Sequence, residues 1–81
     1  MNVTVKLFAR ARDLAGSDRV MLELPGAGLV RDVKRCLVEK HPQLAPLLPT
    51  LLIAIGNEYA RDDAPLTPDA DVACFPPVSG G

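Results

Sequence analysis

The sequence has few of the residues from which catalytic and metal sites are usually built. Its 81 residues include one histidine, two cysteines and no tryptophan. A single histidine lacks the second imidazole that most mixed zinc sites use, and Cys36 and Cys74 do not have ligand spacing. His41 precedes Pro42 at a predicted helix end, where a capping or surface role is expected. We therefore expect no metal site, no cofactor bound by this chain alone and no catalytic activity of the isolated chain.

Long apolar runs are also absent. The longest one, LAPLLPTLLIAI, is interrupted by Pro46 and Pro49 and is too short to span a bilayer. The first residues, MNVTVKLFA, follow a strand pattern and not the pattern of a leader peptide. These features predict a cytoplasmic protein with no membrane partner. Cys36 and Cys74 are then expected to be free, buried thiols with no cation nearby to lower the pKa of either.

Charge is distributed unevenly along the chain. Residues 1–40 contain eight basic and five acidic side chains, whereas residues 41–81 contain one basic and five acidic side chains. An acidic half argues against nucleic acid as a partner and suits contact with a basic protein surface. Ordinary solvated surface charge is the simpler interpretation, and the sequence leaves both open.

Hydrophobic spacing predicts the order ββαβββ in a single α+β domain. Alternation over Val3, Val5 and Leu7 predicts the first strand, and Val30, Val33 and Leu37 lie on one stripe of a helix. Leu29 or Gly28 would be a poor N-cap for that helix. The remaining predictions are a hairpin with a long loop, a turn at 43–49, and strands at 19–24, 51–55, within 56–60 and at 71–75.

One helix can cover only one face of the sheet, so the other face is expected to stay open. The period of two places Phe8 and Phe75 on that open face, side by side if the first and last strands are neighbours. An exposed aromatic pair on a small domain is typical of a protein-binding surface. The alternatives are that loops cover the pair or that Phe8 lies at an edge.

The last residues, FPPVSGG, form a distinctive tail after the final strand. Pro76 and Pro77 favour an extended course, and residues 76–81 can reach roughly 20 Å beyond a domain formed by residues 1–75. Gly80 and Gly81 have no side chains to obstruct a narrow channel. A terminal carboxylate becomes reactive once an ATP-dependent partner adenylates it, and a sulfur donor can then convert it to a thiocarboxylate. A frayed end without a function is the alternative.

Two segments carry a family resemblance, NEYARDDAPLTPDADVACFPPVSGG and LFARARDLAG. Both resemble the MoaD-like sulfur carriers, the small-subunit family of molybdopterin synthase, in order and over nearly the whole chain. FPPVSGG is the most specific piece. The resemblance implies a β-grasp, ubiquitin-like fold with a mixed sheet and one main helix packed on one face.

The resemblance also implies a function. Gly81, preceded by Gly80, would be adenylated by an E1-like enzyme that uses ATP and a sulfur donor. The resulting thiocarboxylate would enter the large subunit of molybdopterin synthase, in a heterotetramer, and donate sulfur to cyclic pyranopterin monophosphate. The chain would then be a non-catalytic subunit of a sulfurtransferase. The docking residues implied are Phe8, Phe75, Pro76, Pro77, Val78 and Ser79, with Arg10 and Arg12 less securely.

The same tail chemistry is compatible with other acceptors. Related ubiquitin-like carriers serve thiamine, cysteine or tRNA thiolation, and ubiquitin-like modifiers attach to proteins. The identity of the acceptor distinguishes these functions from molybdopterin synthesis. A plain interaction module with an inert tail is the remaining alternative.

Overall fold

The computed structural model describes residues 1–24, 28–67 and 70–76. The predicted tail residues Pro77, Val78, Ser79, Gly80 and Gly81 lie outside these ranges, and the boundary between residues 75 and 76 stays a prediction. The elements in chain order are β1 (Asn2–Leu7), α1 (Ala9–Ala15), β2 (Arg19–Glu23), α2 (Val30–Lys40), a 3-10 segment (Pro42–Thr50), β3 (Leu52–Ile55), β4 (Glu58–Ala60) and β5 (Val72–Phe75).

The five strands form one mixed sheet in the order β2-β1-β5-β3-β4. β1 and β5 are parallel, with Leu7 opposite Cys74, and the other neighbours are antiparallel. The first and last strands, β1 and β5, are therefore neighbours in the sheet, which is the condition for Phe8 and Phe75 to lie side by side. This topology and the single main helix confirm the predicted β-grasp architecture.

The core lies between the sheet and α2. Val30, Val33 and Leu37 on α2 are fully buried, which confirms the predicted apolar stripe. The strands contribute alternate residues to the same core, because successive side chains point to opposite faces of a sheet. The buried cluster comprises Val3, Val5, Leu7, Ala11, Val20, Leu22, Leu24, Val30, Val33, Leu37, Leu44, Leu51, Ile53, Leu66, Val72 and Cys74.

The connection between β1 and β2 contains a helix, which corrects the prediction of a loop. α1 buries Ala11 and partly buries Leu14 and Ala15, one small apolar stripe at helical spacing. Gly16 ends the helix with φ of 74°, and its N–H donates to the Arg12 carbonyl at 2.9 Å. A glycine adopts this left-handed conformation at little cost, which makes it a common helix terminator.

The segment after α2 is more regular than the short turn that its prolines predicted. Residues Pro42–Thr50 form a 3-10 helix despite Pro46 and Pro49, and Leu44 is fully buried in the core. His41 ends α2, where its N–H donates to the Leu37 carbonyl at 2.8 Å. The predicted capping position of the histidine is confirmed.

The start of α2 compensates for its poor N-cap residue. Leu29 has no capping side chain, but Oδ2 of Asp32 accepts a hydrogen bond from the Leu29 N–H at 2.8 Å. The Val30 N–H donates to the Ala64 carbonyl at 3.0 Å, and the Arg31 N–H donates to the Asp62 carbonyl at 2.9 Å. The loop before β5 therefore supplies acceptors that a serine or threonine N-cap would otherwise provide.

The two cysteines differ in exposure. Cys74 is fully buried, as predicted, whereas Cys36 is only partly buried, which corrects the prediction of two core thiols. Both are free. In the described ranges, no helix is long and apolar enough to cross a membrane.

Candidate functional site

Phe8 and Phe75 meet on the sheet face opposite α2, as the alternation predicted. The Phe8 N–H donates to the Cys74 carbonyl at 3.2 Å, which extends the β1–β5 pairing by one residue. The two ring centroids lie 6.3 Å apart in an edge-to-face arrangement. Phe8 is 45 % exposed and Phe75 is partly buried, so none of the loops that the structure describes closes over the pair.

Tyr59 belongs to the same group, although the sequence argument did not identify it. Its ring centroid lies 5.5 Å from that of Phe75, and its side chain is 70 % exposed. The register brings it there: Tyr59 pairs with Ala54 on β3, and Ala54 pairs with Ala73 on β5. Small side chains at both intervening positions leave the tyrosine ring free to lie over the sheet. We call Phe8, Tyr59 and Phe75 the aromatic cluster.

Leu52 extends the apolar surface beside the aromatic cluster. It lies opposite Phe75 in the β3–β5 register and is 37 % exposed, although its strand neighbour Ile53 is buried. Together with the aromatic cluster, Leu52 forms a solvent-facing apolar surface that extends across β4, β3 and β5 to the end of β1. Surfaces of this kind are typical of sites that bind another protein.

Basic side chains border one side of the aromatic cluster. Arg12 and Phe8 both line a shallow hollow of about 290 Å³, together with Lys6, Leu7, Arg19 and the acidic Asp18, so basic side chains outnumber acidic ones there. Arg10 is exposed on α1 and does not line this hollow, whereas Arg12 lines it together with Phe8. A partner surface with carboxylates would complement this border.

The described part of the chain ends at the aromatic cluster. Phe75 is the last residue of β5, and the partly buried Pro76 follows it. The expected tail therefore begins next to the exposed rings. A partner that binds the aromatic cluster would hold the start of the tail at a fixed position.

Cys74 is poorly suited to chemistry of its own. Burial raises the pKa of its thiol to about 11, and the charge of Lys34 opposes that rise only in part. This corrects the expectation that no cation lies near either cysteine. The Lys34 ammonium is mainly engaged elsewhere, in an ion pair with Asp62 at 2.8 Å. Because the thiolate is the reactive form, Cys74 is a core residue and not a nucleophile.

Comparison with protein-family models gives a match over nearly the whole chain. The model described as the ThiS family matches residues 5–81. The chain belongs to the ThiS family. This membership confirms the MoaD-like resemblance, and it accounts for the β-grasp, ubiquitin-like fold described above.

Known ThiS-like proteins resemble the chain over its full length. It is 33 % identical to the molybdopterin synthase sulfur carrier subunit of Arabidopsis thaliana, over 100 % of this chain and 84 % of that protein. The crystal structure of SAMP1 from Haloferax volcanii matches with a TM-score of 0.87 and 29 % identity, covering 100 % of both chains.

A third similarity concerns a complex. A chain in the protein–protein complex of subunits 1 and 2 of molybdopterin-converting factor from Helicobacter pylori matches with a TM-score of 0.68. The identity is 21 %, and the alignment covers 100 % of both chains. At this identity the likeness shows the fold alone.

Proposed function

We propose that this ThiS-family protein is the sulfur carrier subunit of molybdopterin synthase. The observation that carries the proposal is the 33 % identity to a plant subunit of that name over the whole chain. The aromatic cluster supports the proposal, because a carrier needs a surface that its partners bind next to the start of the tail. The proposal takes Gly81 as the free end of the mature protein.

The proposed reaction begins with the Gly81 carboxylate. One of its oxygens attacks the α-phosphorus of ATP on an E1-like enzyme, which forms an acyl-adenylate and releases pyrophosphate. A sulfur donor then attacks the acyl carbon, and AMP departs with the original oxygen. The product is a thiocarboxylate, a soft anionic nucleophile that suits sulfur transfer in a dry pocket. Gly80 and Gly81 leave this carbon unobstructed.

The second half of the proposed cycle takes place on the large synthase subunit. The thiocarboxylate sulfur is donated to cyclic pyranopterin monophosphate, and hydrolysis at the acyl carbon returns the Gly81 carboxylate. Phe8 and Phe75, with Tyr59 added, provide the apolar centre of the docking surface. Arg12 provides charge at its border. Pro76, Pro77, Val78 and Ser79 connect that surface to the reactive end.

The first test measures the mass of the intact protein. The full chain is incubated with the activating enzyme, ATP and a sulfide source, and exchange of one oxygen for one sulfur is expected. Deletion of Gly81, or addition of one residue after it, should abolish the exchange. Both variants should unfold at the parent's urea midpoint, because neither change alters a residue of the buried cluster. An unchanged mass for the parent chain would refute the carrier function.

The second test identifies the acceptor. The sulfur-loaded protein is mixed with the large subunit of molybdopterin synthase and cyclic pyranopterin monophosphate, and dithiolene formation is measured. Dithiolene formation with recovery of the carboxylate form supports the proposal. Failure to bind the large subunit, together with support of thiazole synthesis, would assign the chain to a thiamine carrier instead.

The likeness to SAMP1 favours a second candidate, a ubiquitin-like protein modifier. Both functions begin with adenylation of the terminal carboxyl, so activation alone does not separate them. A modifier would form an amide with a lysine of another protein, and the conjugate would resist thiol reagents. Stable conjugates without dithiolene formation would favour this candidate over the synthase subunit.

A further inference from the structure

The outer edge of β2 carries backbone hydrogen-bonding groups, in a defined pattern, that are not paired with any other strand in the described ranges. β2 is an outermost strand of the sheet and pairs with β1 on one side. The Met1 amino group donates to the Leu24 carbonyl, and the Leu24 N–H donates to the Met1 carbonyl, both at 2.7 Å. Hydrogen-bonded pairs alternate along an antiparallel ladder. The N–H and C=O groups of Arg19, Met21 and Glu23 therefore point away from β1.

Two side chains occupy part of this outward edge. The Lys40 ammonium, at the end of α2, donates to the Met21 carbonyl at 2.9 Å. The Ser17 hydroxyl donates to the Arg19 carbonyl at 2.7 Å and accepts from the Arg19 N–H at 3.3 Å. Lysines and local side-chain bonds at an edge oppose pairing with another strand.

The sequence of β2 is nevertheless complementary to itself. Arg19 and Glu23 lie two residues on either side of Met21, and all three side chains point to the open face of the sheet. In an antiparallel pair of two copies centred on Met21, each Arg19 lies opposite the Glu23 of the other copy. Opposite charges directly across a strand pair stabilise it. The outward backbone groups of the three residues meet in the same register.

We propose that β2 is a self-pairing edge, that its occupant is the β2 strand of a second copy, and that Lys40 opposes this pairing. The dimer would have two-fold symmetry, so that every contact occurs twice. Met21 is 64 % exposed in the single chain, and the two methionines would cover each other at the centre. Pairing requires each copy to release the Met21 carbonyl from Lys40 and the Arg19 backbone groups from Ser17, and the two-fold symmetry doubles the effect of the lysine.

The aromatic cluster lies on other strands, so this inference stands apart from the proposed function. Phe8 follows β1, Phe75 lies on β5 and Tyr59 lies on β4, whereas the proposed dimer contact is confined to β2. Loss of sulfur transfer would leave the dimer test unaffected. Loss of the dimer would leave the carrier function unaffected.

Sedimentation velocity over a concentration series of the full chain gives the dimer dissociation constant. Lys40→Met should lower it by about tenfold or more, because two charged donors no longer compete for the Met21 carbonyls. Arg31→Met is the matched control: it removes one exposed positive charge from the same helix at the end remote from Lys40. Lys40→Arg retains a donor and should resemble the parent. Circular dichroism confirms that each variant is folded.

A charge exchange tests the register. In the Lys40→Met background, Glu23→Arg places arginine opposite arginine twice and should reverse the gain in dimerisation. Adding Arg19→Glu restores opposite charges and should restore the dimer. Equal dissociation constants for Lys40→Met and Arg31→Met would overturn the proposal, as would a dimer that persists with Glu23→Arg. Protection of the Met21 amide from hydrogen exchange in the Lys40→Met dimer is expected, and its absence would count against pairing at β2.

Discussion

Replacement of Phe75 by aspartate is the most direct test of the aromatic cluster as a docking surface. Phe75 is its central member, since its ring contacts both Phe8 and Tyr59. A carboxylate at this position would be desolvated on docking, and truncation of a central interface aromatic commonly costs about 2 kcal/mol or more. That corresponds to a loss of roughly thirtyfold in affinity.

The assay is isothermal titration of the full chain into the large subunit of molybdopterin synthase at constant ionic strength. Met21→Asp is the matched control, because it introduces the same charge at a 64 % exposed apolar residue of the same sheet face. It should change affinity by less than about threefold, since β2 lies outside the aromatic cluster. Phe75→Leu keeps an apolar side chain without the ring contacts and should give an intermediate loss.

Stability must be measured in parallel, because Phe75 also contributes to the fold. Each aromatic contact contributes about 0.5–1.5 kcal/mol beyond simple area burial, so Phe75→Asp should lower the unfolding free energy by about 1–3 kcal/mol. Binding is therefore compared below the urea concentration at which the variant begins to unfold. Unaltered affinity for a folded Phe75→Asp protein, or an equal loss for Met21→Asp, would refute the assignment of the docking surface.

Four further predictions concern the fold. Near neutral pH an alkylating reagent should modify Cys36 well before Cys74. The masses of the two cysteine-containing peptides, measured over time, give both rates, and equal rates would contradict this prediction. Because burial raises the pKa of Cys74 from 9.0 to about 11, its thiol ionises first in the unfolded chain. The unfolding free energy should therefore fall as pH rises across that interval, and loss of this slope in Cys74→Val checks its origin. Gly28→Ala should lower the free energy of unfolding by about 1–3 kcal/mol, because the new Cβ would lie 2.6 Å from Cδ1 of the buried Leu24. An unchanged urea midpoint would contradict this prediction. Ala9→Gly should be neutral or stabilising by up to about 1 kcal/mol, since Ala9 has φ of 52°, and a clear loss on thermal unfolding would argue against strain there.

Periodicity predicted the elements that bury a regular stripe. Val30, Val33 and Leu37 identified α2, and alternation in β1 and β5 placed Phe8 and Phe75 on the correct face. These patterns are local consequences of burial on one side of an element, so a single sequence contains them. The family resemblance added the β-grasp fold with its mixed sheet, which periodicity alone does not contain.

The features that the sequence did not predict, α1 and the position of Tyr59, have physical causes. α1 is only seven residues long and buries little more than Ala11, so its apolar signal is weak beside the turn residues that follow. A signal was present, however, because alanine, arginine and leucine favour helices and Gly16 is a common terminator. Tyr59 joined the aromatic cluster through strand register across Ala54 and Ala73, which is a long-range property.

Local sequence patterns also could not predict how the start of α2 is capped or what surrounds the two cysteines. The start of α2 is satisfied by Asp32 and by carbonyls of a loop about thirty residues later in the chain. Cys36 lies near the apolar stripe of α2 but is only partly buried, and Lys34 comes close enough to affect Cys74 only after the helix packs on the sheet. The predicted roles of Gly80 and Gly81 stay predictions, because both lie outside the described residues.

The central position of β5 has a consequence for biosynthesis. The sheet places this strand between β1 and β3, although it is the last strand to be translated. Until β5 leaves the ribosome, β1 and β3 each lack one of their two neighbouring strands, and Val72 and Cys74 are missing from the core. Completion of the sheet therefore waits for β5, and the β1–β2 and β3–β4 pairs stay separate until this strand joins them.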